Sequence, residues 1–142
     1  MGATEFENVI FSLNSIEAFS ELKKECGDTD GYSGTIAEKE SYIMVEMPSR
    51  VSVEQAVNWI YNASYVIDCC EEERPAAIRM FESKCPDQHR GWVKRYARKY
   101  SDKFGPALCI RWNEGQSREW KKGSRFQGKR GNVYTFIGIA SC

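Results

Sequence analysis

The hydrophobic period of this chain changes in a set order, and that order limits the fold more than any other feature. Residues 4–13, TEFENVIFSL, are rich in aromatic and β-branched side chains and read as a strand. Asn14 or Ser15 then caps a helix whose apolar positions Ile16, Phe19 and Leu22 recur at helical spacing; Cys26 extends the stripe and Gly27 ends it. Residues 27–39 hold three glycines and no core periodicity, which predicts a loop. Residues 41–47, SYIMVEM, read as a second strand, ended by Pro48. Ser52 opens a second helix, with Gln55 three residues on completing a capping-box pattern. Its stripe runs through Val53, Ala56, Val57 and Ile60 to Tyr61 and Ser64. Helical composition continues, punctuated by Pro75 and Pro86, which suit the first turns of further helices. Residues 88–103 form the last helix, with Trp92, Tyr96 and Tyr100 on one face and Val93 and Ala97 beside them. ALCIRW at 107–112 and NVYTFIGIA at 132–140 read as strands, and the polar, basic segment 113–131 between them reads as a long exposed loop.

The order β-α-β-α(αα)-β-β predicts an α+β chain, a ferredoxin-like split β-α-β sandwich. The sheet is expected to have four strands, mainly antiparallel, with a helical insertion over 64–103 in the second crossover. Helices are expected on one face of the sheet, leaving the other for an oligomer partner or a ligand. A length of 142 residues suits a single domain over 1–142. An apolar fraction of 42% with 28% charged residues excludes a wholly disordered chain. No apolar run approaches the roughly 18 residues of a membrane span, and MGATEFENVIF lacks the basic and apolar regions of a signal peptide. A cytoplasmic location and no membrane partner are the expectation.

A net charge of zero conceals a strong division. Residues 1–87 carry 7 Lys+Arg against 17 Asp+Glu, a net of −10, whereas residues 88–130 carry 13 against 3, a net of +10. Two outcomes follow from this: the halves neutralise each other within or between subunits, or the basic half takes an anionic partner. Six cysteines, Cys26, Cys69, Cys70, Cys85, Cys109 and Cys142, occur without a CxxC pair and with a single histidine, His89. This spacing gives no zinc signature, so no metal and no cofactor is expected. Reduced thiols are the expectation, with Cys109 buried in its apolar run and one of the adjacent Cys69 and Cys70 turned outward.

Two constellations are candidates for function. The first is Gly31-Tyr32-Ser33-Gly34-Thr35-Ile36-Ala37-Glu38-Lys39. Its glycines expose backbone amides that can cradle a phosphate, Ser33 and Thr35 add hydroxyls, and Lys39 adds a cation. This gives a candidate ligand set of Gly31, Tyr32, Ser33, Gly34, Thr35 and Lys39, with Glu38 and Lys39 as candidate acid–base groups. It is not a Walker loop, since the Gly-Lys-Ser/Thr ending is absent. The second is Arg118, Lys121, Lys122, Arg125, Lys129 and Arg130 around Trp120 and Phe126. Of these, the six cations and Trp120 form the candidate anion or nucleic-acid set, because cations neutralise phosphates and bases stack on aromatic rings.

Met1–Ala3, the Gly31–Lys39 block, the Asp102–Ala107 segment and the terminal strand Tyr134–Ser141 together resemble a family of small tailed-bacteriophage proteins. The likeness covers most of the chain apart from 64–100 and 113–130, and the Gly31–Lys39 block is its most specific part. The chain departs from the pattern at Cys26–Asp30, where the family tends to be rich in His and Gly. The resemblance implies a phage origin and the host cytoplasm, and it transfers no catalytic residue. The sequence therefore points to an accessory protein that binds a small phosphorylated or nucleotide-like ligand, such as a host immune signal, as a homo-oligomer. The alternatives are a small enzyme acting on a nucleotide-derived metabolite, and an inhibitor that binds nucleic acid or a host protein through the 118–130 segment.

Overall fold

The computed structural model describes residues 2–29, 31 and 34–141. Four strands and five helices follow in the order β1 (Ala3–Ser12), α1 (Ser15–Thr29), β2 (Tyr42–Met44), α2 (Val53–Asp68), α3 (Arg74–Lys84), α4 (Asp87–Ser101), β3 (Ala107–Arg111), α5 (Glu114–Lys121) and β4 (Asn132–Ser141). A short 3₁₀ turn at Ile36–Glu38 precedes β2. The chain is α+β, compatible with a ferredoxin-like α+β sandwich. Its single sheet has the order β1-β4-β3-β2. Pairs β1/β4 and β3/β4 are antiparallel, and β2/β3 is parallel, so the sheet is mixed. The parallel pair follows from the three-helix crossover, which returns the chain to its starting end. β1 and β2 therefore run in the same direction with β4 and β3 between them, which makes β1-α1-β2 the split unit.

Helices cover both faces of the sheet, not one. Cys26, Leu22 and Ala18 of α1 pack with Ile36 and Ala37 on Phe6, Cys109 and Phe136. On the opposite face Ile60 of α2, Phe81 of α3 and Val93 of α4 pack on Leu108, Ile110 and Ile137. The two central strands are consequently buried on both sides: Leu108, Cys109, Ile110, Phe136 and Ile137 are all fully enclosed. The face expected to be free for a partner or ligand is occupied by α1.

Two boundaries differ from the sequence reading for local reasons. The first helix passes through Gly27 to Thr29, whose hydroxyl donates to the Glu25 carbonyl at 2.8 Å. One helical glycine costs about 1 kcal/mol, which the packing of Leu22 and Cys26 outweighs. The segment 113–131 is not an open loop. Asn113 caps α5 by accepting the Gln116 N–H at 2.8 Å, and Phe126 returns to stack between Trp120 and Phe11, 5.8 and 4.7 Å between ring centroids. The capping box on α2 is present in full, with Ser52 and Gln55 exchanging hydrogen bonds of 3.0 Å. Among the described residues no helix is long and apolar enough to cross a membrane.

Candidate functional site

The described part of the Gly31–Lys39 block makes its hydrogen bonds inward. Thr35 accepts the Ala37 N–H at 3.2 Å and donates to the Gly31 carbonyl at 2.9 Å, so its hydroxyl caps the 3₁₀ turn. The Gly34 N–H donates to the Ser141 carbonyl at 2.9 Å. Both oxygens of Glu38 are engaged by Ser141, one by its N–H and one by its hydroxyl, at 2.9 Å each. Lys39 is 2% exposed and its ammonium donates to the carbonyls of Lys103 and Gly105 at 3.0 Å each. Burial holds the Lys39 pKa below its ordinary value, against the opposing pull of Glu38 and Asp102. These contacts tie the end of β4 and the 103–105 turn to the entrance of β2. Tyr32 and Ser33 lie outside the described residues.

The basic segment is sorted by α5. Positions 114, 117, 118 and 121 lie on one side of this two-turn helix, and 116, 119 and 120 on the other, as a period of 3.6 requires. The first side forms one wall of a 930 Å³ groove at the carboxyl ends of β2 and β3 and the start of β4. Five cations line it: Arg111, Arg118, Lys121, Lys129 and Arg130, against the carboxylates Glu46 and Glu114. Arg111 was missed by sequence reasoning because it reads as the polar end of a strand. The groove needs the parallel pairing of β2 with β3 to bring it opposite Glu46, and no local pattern reports such pairing.

The turn at Gly131 fixes the last two cations. Its φ of +137° suits glycine, and a Cβ there would lie 2.7 Å from the Phe11 ring and 2.8 Å from the Ser12 carbonyl. No side chain fits, so Lys129 and Arg130 are delivered to the groove by a backbone route only glycine permits. Of the remaining predicted residues, Trp120 turns to the opposite side of α5, 37% exposed. Arg125 stacks over the Phe126 ring at 4.8 Å, and Lys122 projects to solvent outside the groove.

Within the chain Arg111 donates to the Asn132 side chain at 3.1 Å and Lys121 to the Lys129 carbonyl at 3.3 Å. Among the described residues the ion pairs are Arg90 with Glu82 and Asp87, and Arg118 with Glu114, all close in sequence. The −10 and +10 halves thus meet in direct ion pairs only at their boundary, through Arg90, and among the described residues the other four groove cations have no carboxylate partner. Ser117, 5% exposed, lines the groove with a buried hydroxyl that has no hydrogen-bond partner. A buried hydroxyl without a partner costs about 1–3 kcal/mol. No family model, curated protein or solved structure matches the chain.

Proposed function

We propose that the protein binds a small phosphorylated or nucleotide-like ligand in the groove between β2, β3 and α5. The observation that carries this reading is that Arg111, Arg118, Lys121, Lys129 and Arg130 line one groove, with the unpartnered hydroxyl of Ser117 buried in its wall. Its place also supports the reading, since open sheets bind ligands beyond the carboxyl ends of their parallel strands. The groove volume of 930 Å³ falls within the roughly 300–1,000 Å³ of small-molecule sites. The phosphate falls to the groove and not to the Gly31–Lys39 block, because Lys39 is buried with its ammonium on two carbonyls, whereas Arg111, Arg118, Lys129 and Arg130 are exposed. The resemblance to small tailed-phage proteins supports placing this binding in a host cytoplasm, where the consequence would be capture of a phosphorylated host signal. Homo-oligomer formation belongs to the same reading, since beyond the pairs of Arg90 and Arg118 the opposite charges of the described residues are available between two chains.

The test is equilibrium binding of inorganic phosphate, a nucleoside triphosphate and a single-stranded oligonucleotide to the whole protein. A groove site predicts saturable nucleotide binding that Lys121→Glu weakens by about tenfold to about a hundredfold, from ~1.5–3 kcal/mol per charged hydrogen bond. Lys122→Glu, outside the groove, should leave it unchanged. Tighter binding of the oligonucleotide, with a steep salt slope and equal loss in both variants, would favour the nucleic-acid reading. Equal insensitivity of nucleotide binding to both variants would remove the groove from the site.

A further inference from the structure

Behind α5, on the side turned away from the basic groove, is a second cleft of 510 Å³ with the opposite chemistry. Its carboxylates come from three elements: Glu7 of β1, Glu54 in the first turn of α2 and Glu119 of α5. Its walls are aromatic and aliphatic, built by Tyr61, Trp112 and Trp120 with Val9, Val53 and Val57. No lysine or arginine is among its lining residues. Trp112 is anchored by donating its indole N–H to Thr135 at 2.7 Å and meets Trp120 edge-on, 6.4 Å between centroids. The Tyr61 hydroxyl donates to one Glu7 oxygen at 2.6 Å, which fixes that carboxylate on the cleft wall. Gln116 adds a further acceptor: its Oε1 is buried beside the cleft and accepts no hydrogen bond.

These features ask for donors and positive charge on an apolar stem. Acceptors outnumber donors, and indole and phenol faces attract cations. A single metal ion does not fit the arrangement, because among the described residues no group of three His, Cys, Asp or Glu side chains is close enough to hold one. Carboxylates spread over three elements, separated by apolar wall, match several charges spaced along a chain. We infer that the cleft binds a free aliphatic polyamine. Its methylenes would lie on Val53, Val57 and the Trp120 face, and its ammonium groups would meet Glu7, Glu54 and Glu119, with one N–H reaching Gln116 Oε1.

The experiment is calorimetric titration of the whole protein with spermidine, followed in parallel by tryptophan emission, since Trp112 and Trp120 line the cleft. The expected result is one site per chain, a change in emission, and an affinity loss of about tenfold or more in Glu54→Gln/Glu119→Gln, both exposed carboxylates. Gln116→Leu should weaken binding without altering charge. Glu71→Gln/Glu72→Gln, an exposed acidic pair outside the cleft, should change nothing. Equal loss in both double variants, or several weak sites, would mean that spermidine only condenses on the acidic half, and would overturn the inference. So would an absence of saturable heat. Tighter binding of N-acetyl-lysine methylamide than of spermidine would reassign the cleft to a side chain of a partner protein. Lys121→Glu, which addresses the basic groove, should leave spermidine binding intact, so the two sites stand or fall separately.

Discussion

Replacing Gly138 by alanine tests the scaffold on which both clefts depend. Gly138 lies in β4 opposite Phe6 of β1. A Cβ at 138 would stand 2.7 Å from the Phe6 Cζ and 2.9 Å from Cε2, where ordinary contact begins at 3.4 Å, so the ring must retreat by about 0.7 Å. Phe6 is 9% exposed and packed in the core under α1, with little room to move. Overpacking of this kind costs about 1–3 kcal/mol. An unfolding entropy of roughly 2.1 cal/mol/K per residue turns that into a Tm fall of about 3–10 °C for 142 residues. Thermal melts and urea midpoints of Gly138→Ala, Phe6→Leu and the double variant read the effect. The smaller side chain at 6 should relieve the clash, giving a favourable coupling of about 0.5–3 kcal/mol in the double variant. Gly91→Ala is the control of opposite sign: in α4, a Cβ there meets nothing within 4 Å, so alanine should stabilise by about 0.4–1 kcal/mol. A neutral Gly138→Ala, or strict additivity with Phe6→Leu, would refute the Phe6–Gly138 register. The polyamine cleft would go with it, because a slip of one residue turns Glu7 and Val9 to the opposite face.

Three further outcomes concern single side chains. Lys39→Met removes an ammonium whose pKa burial holds below its ordinary 10.5. Between the folded and unfolded pKa values the unfolded chain binds more protons, so the stability of the native protein relative to Lys39→Met should rise with pH up to about 10.5, read from urea midpoints; a fall would contradict the burial argument. Maleimide labelling of the native protein should modify the exposed Cys70 and spare Cys85 and Cys109, which should react only after unfolding; burial pushes the Cys109 thiol up to about 12. Ser52→Ala should cost about 0.5–2 kcal/mol in urea unfolding, because it removes the hydroxyl that accepts the Gln55 N–H.

The sequence made the large elements legible because their signals are local. Ser52 with Gln55, Pro75 and Pro86 mark helix starts that rest on neighbouring residues alone, and the structure has helices opening at each. The buried faces of α2 and α4 follow the same logic, through Val57, Ile60, Val93 and Ala97. α5 was not legible. Two turns cannot display a stripe, and what holds them is the Asn113 cap and the contact of Trp120 with Phe126 and Trp112, residues that look like unexplained aromatics in a basic loop. The second layer of helix was missed because Cys109 and Phe136 alternate with Ile110 and Ile137, giving continuous apolar runs without a polar face. Such runs are the mark of strands covered on both sides. In the described part of the Gly31–Lys39 block the local pattern does not report the long-range partner: Lys39 donates to the carbonyls of Lys103 and Gly105, more than sixty residues away.

Charge is divided in space across α5. α5 stands between a groove of five cations and a cleft of three carboxylates, with Trp112 bordering both. Adjacent residues along this helix serve opposite sides: Gln116 and Glu119 face the acidic cleft, Ser117 and Arg118 the basic groove. The coupling between the sites has a definite sign. A cation bound beside Glu119 and an anion bound beside Arg118 attract each other, and each lowers the field that opposes holding the other. At an effective dielectric of about 20, opposite unit charges roughly 10 Å apart gain on the order of 1–2 kcal/mol. Linkage makes the effect mutual, so spermidine should tighten nucleotide binding by about tenfold and nucleotide should tighten spermidine by the same factor. Simple competition between the two ligands, with spermidine stripping nucleotide from the protein by pairing with it in solution, would show no such reciprocity and would disappear in neither single-site variant. Mutual tightening that is lost in Glu54→Gln/Glu119→Gln while nucleotide binding alone persists would locate the coupling in the protein, across α5.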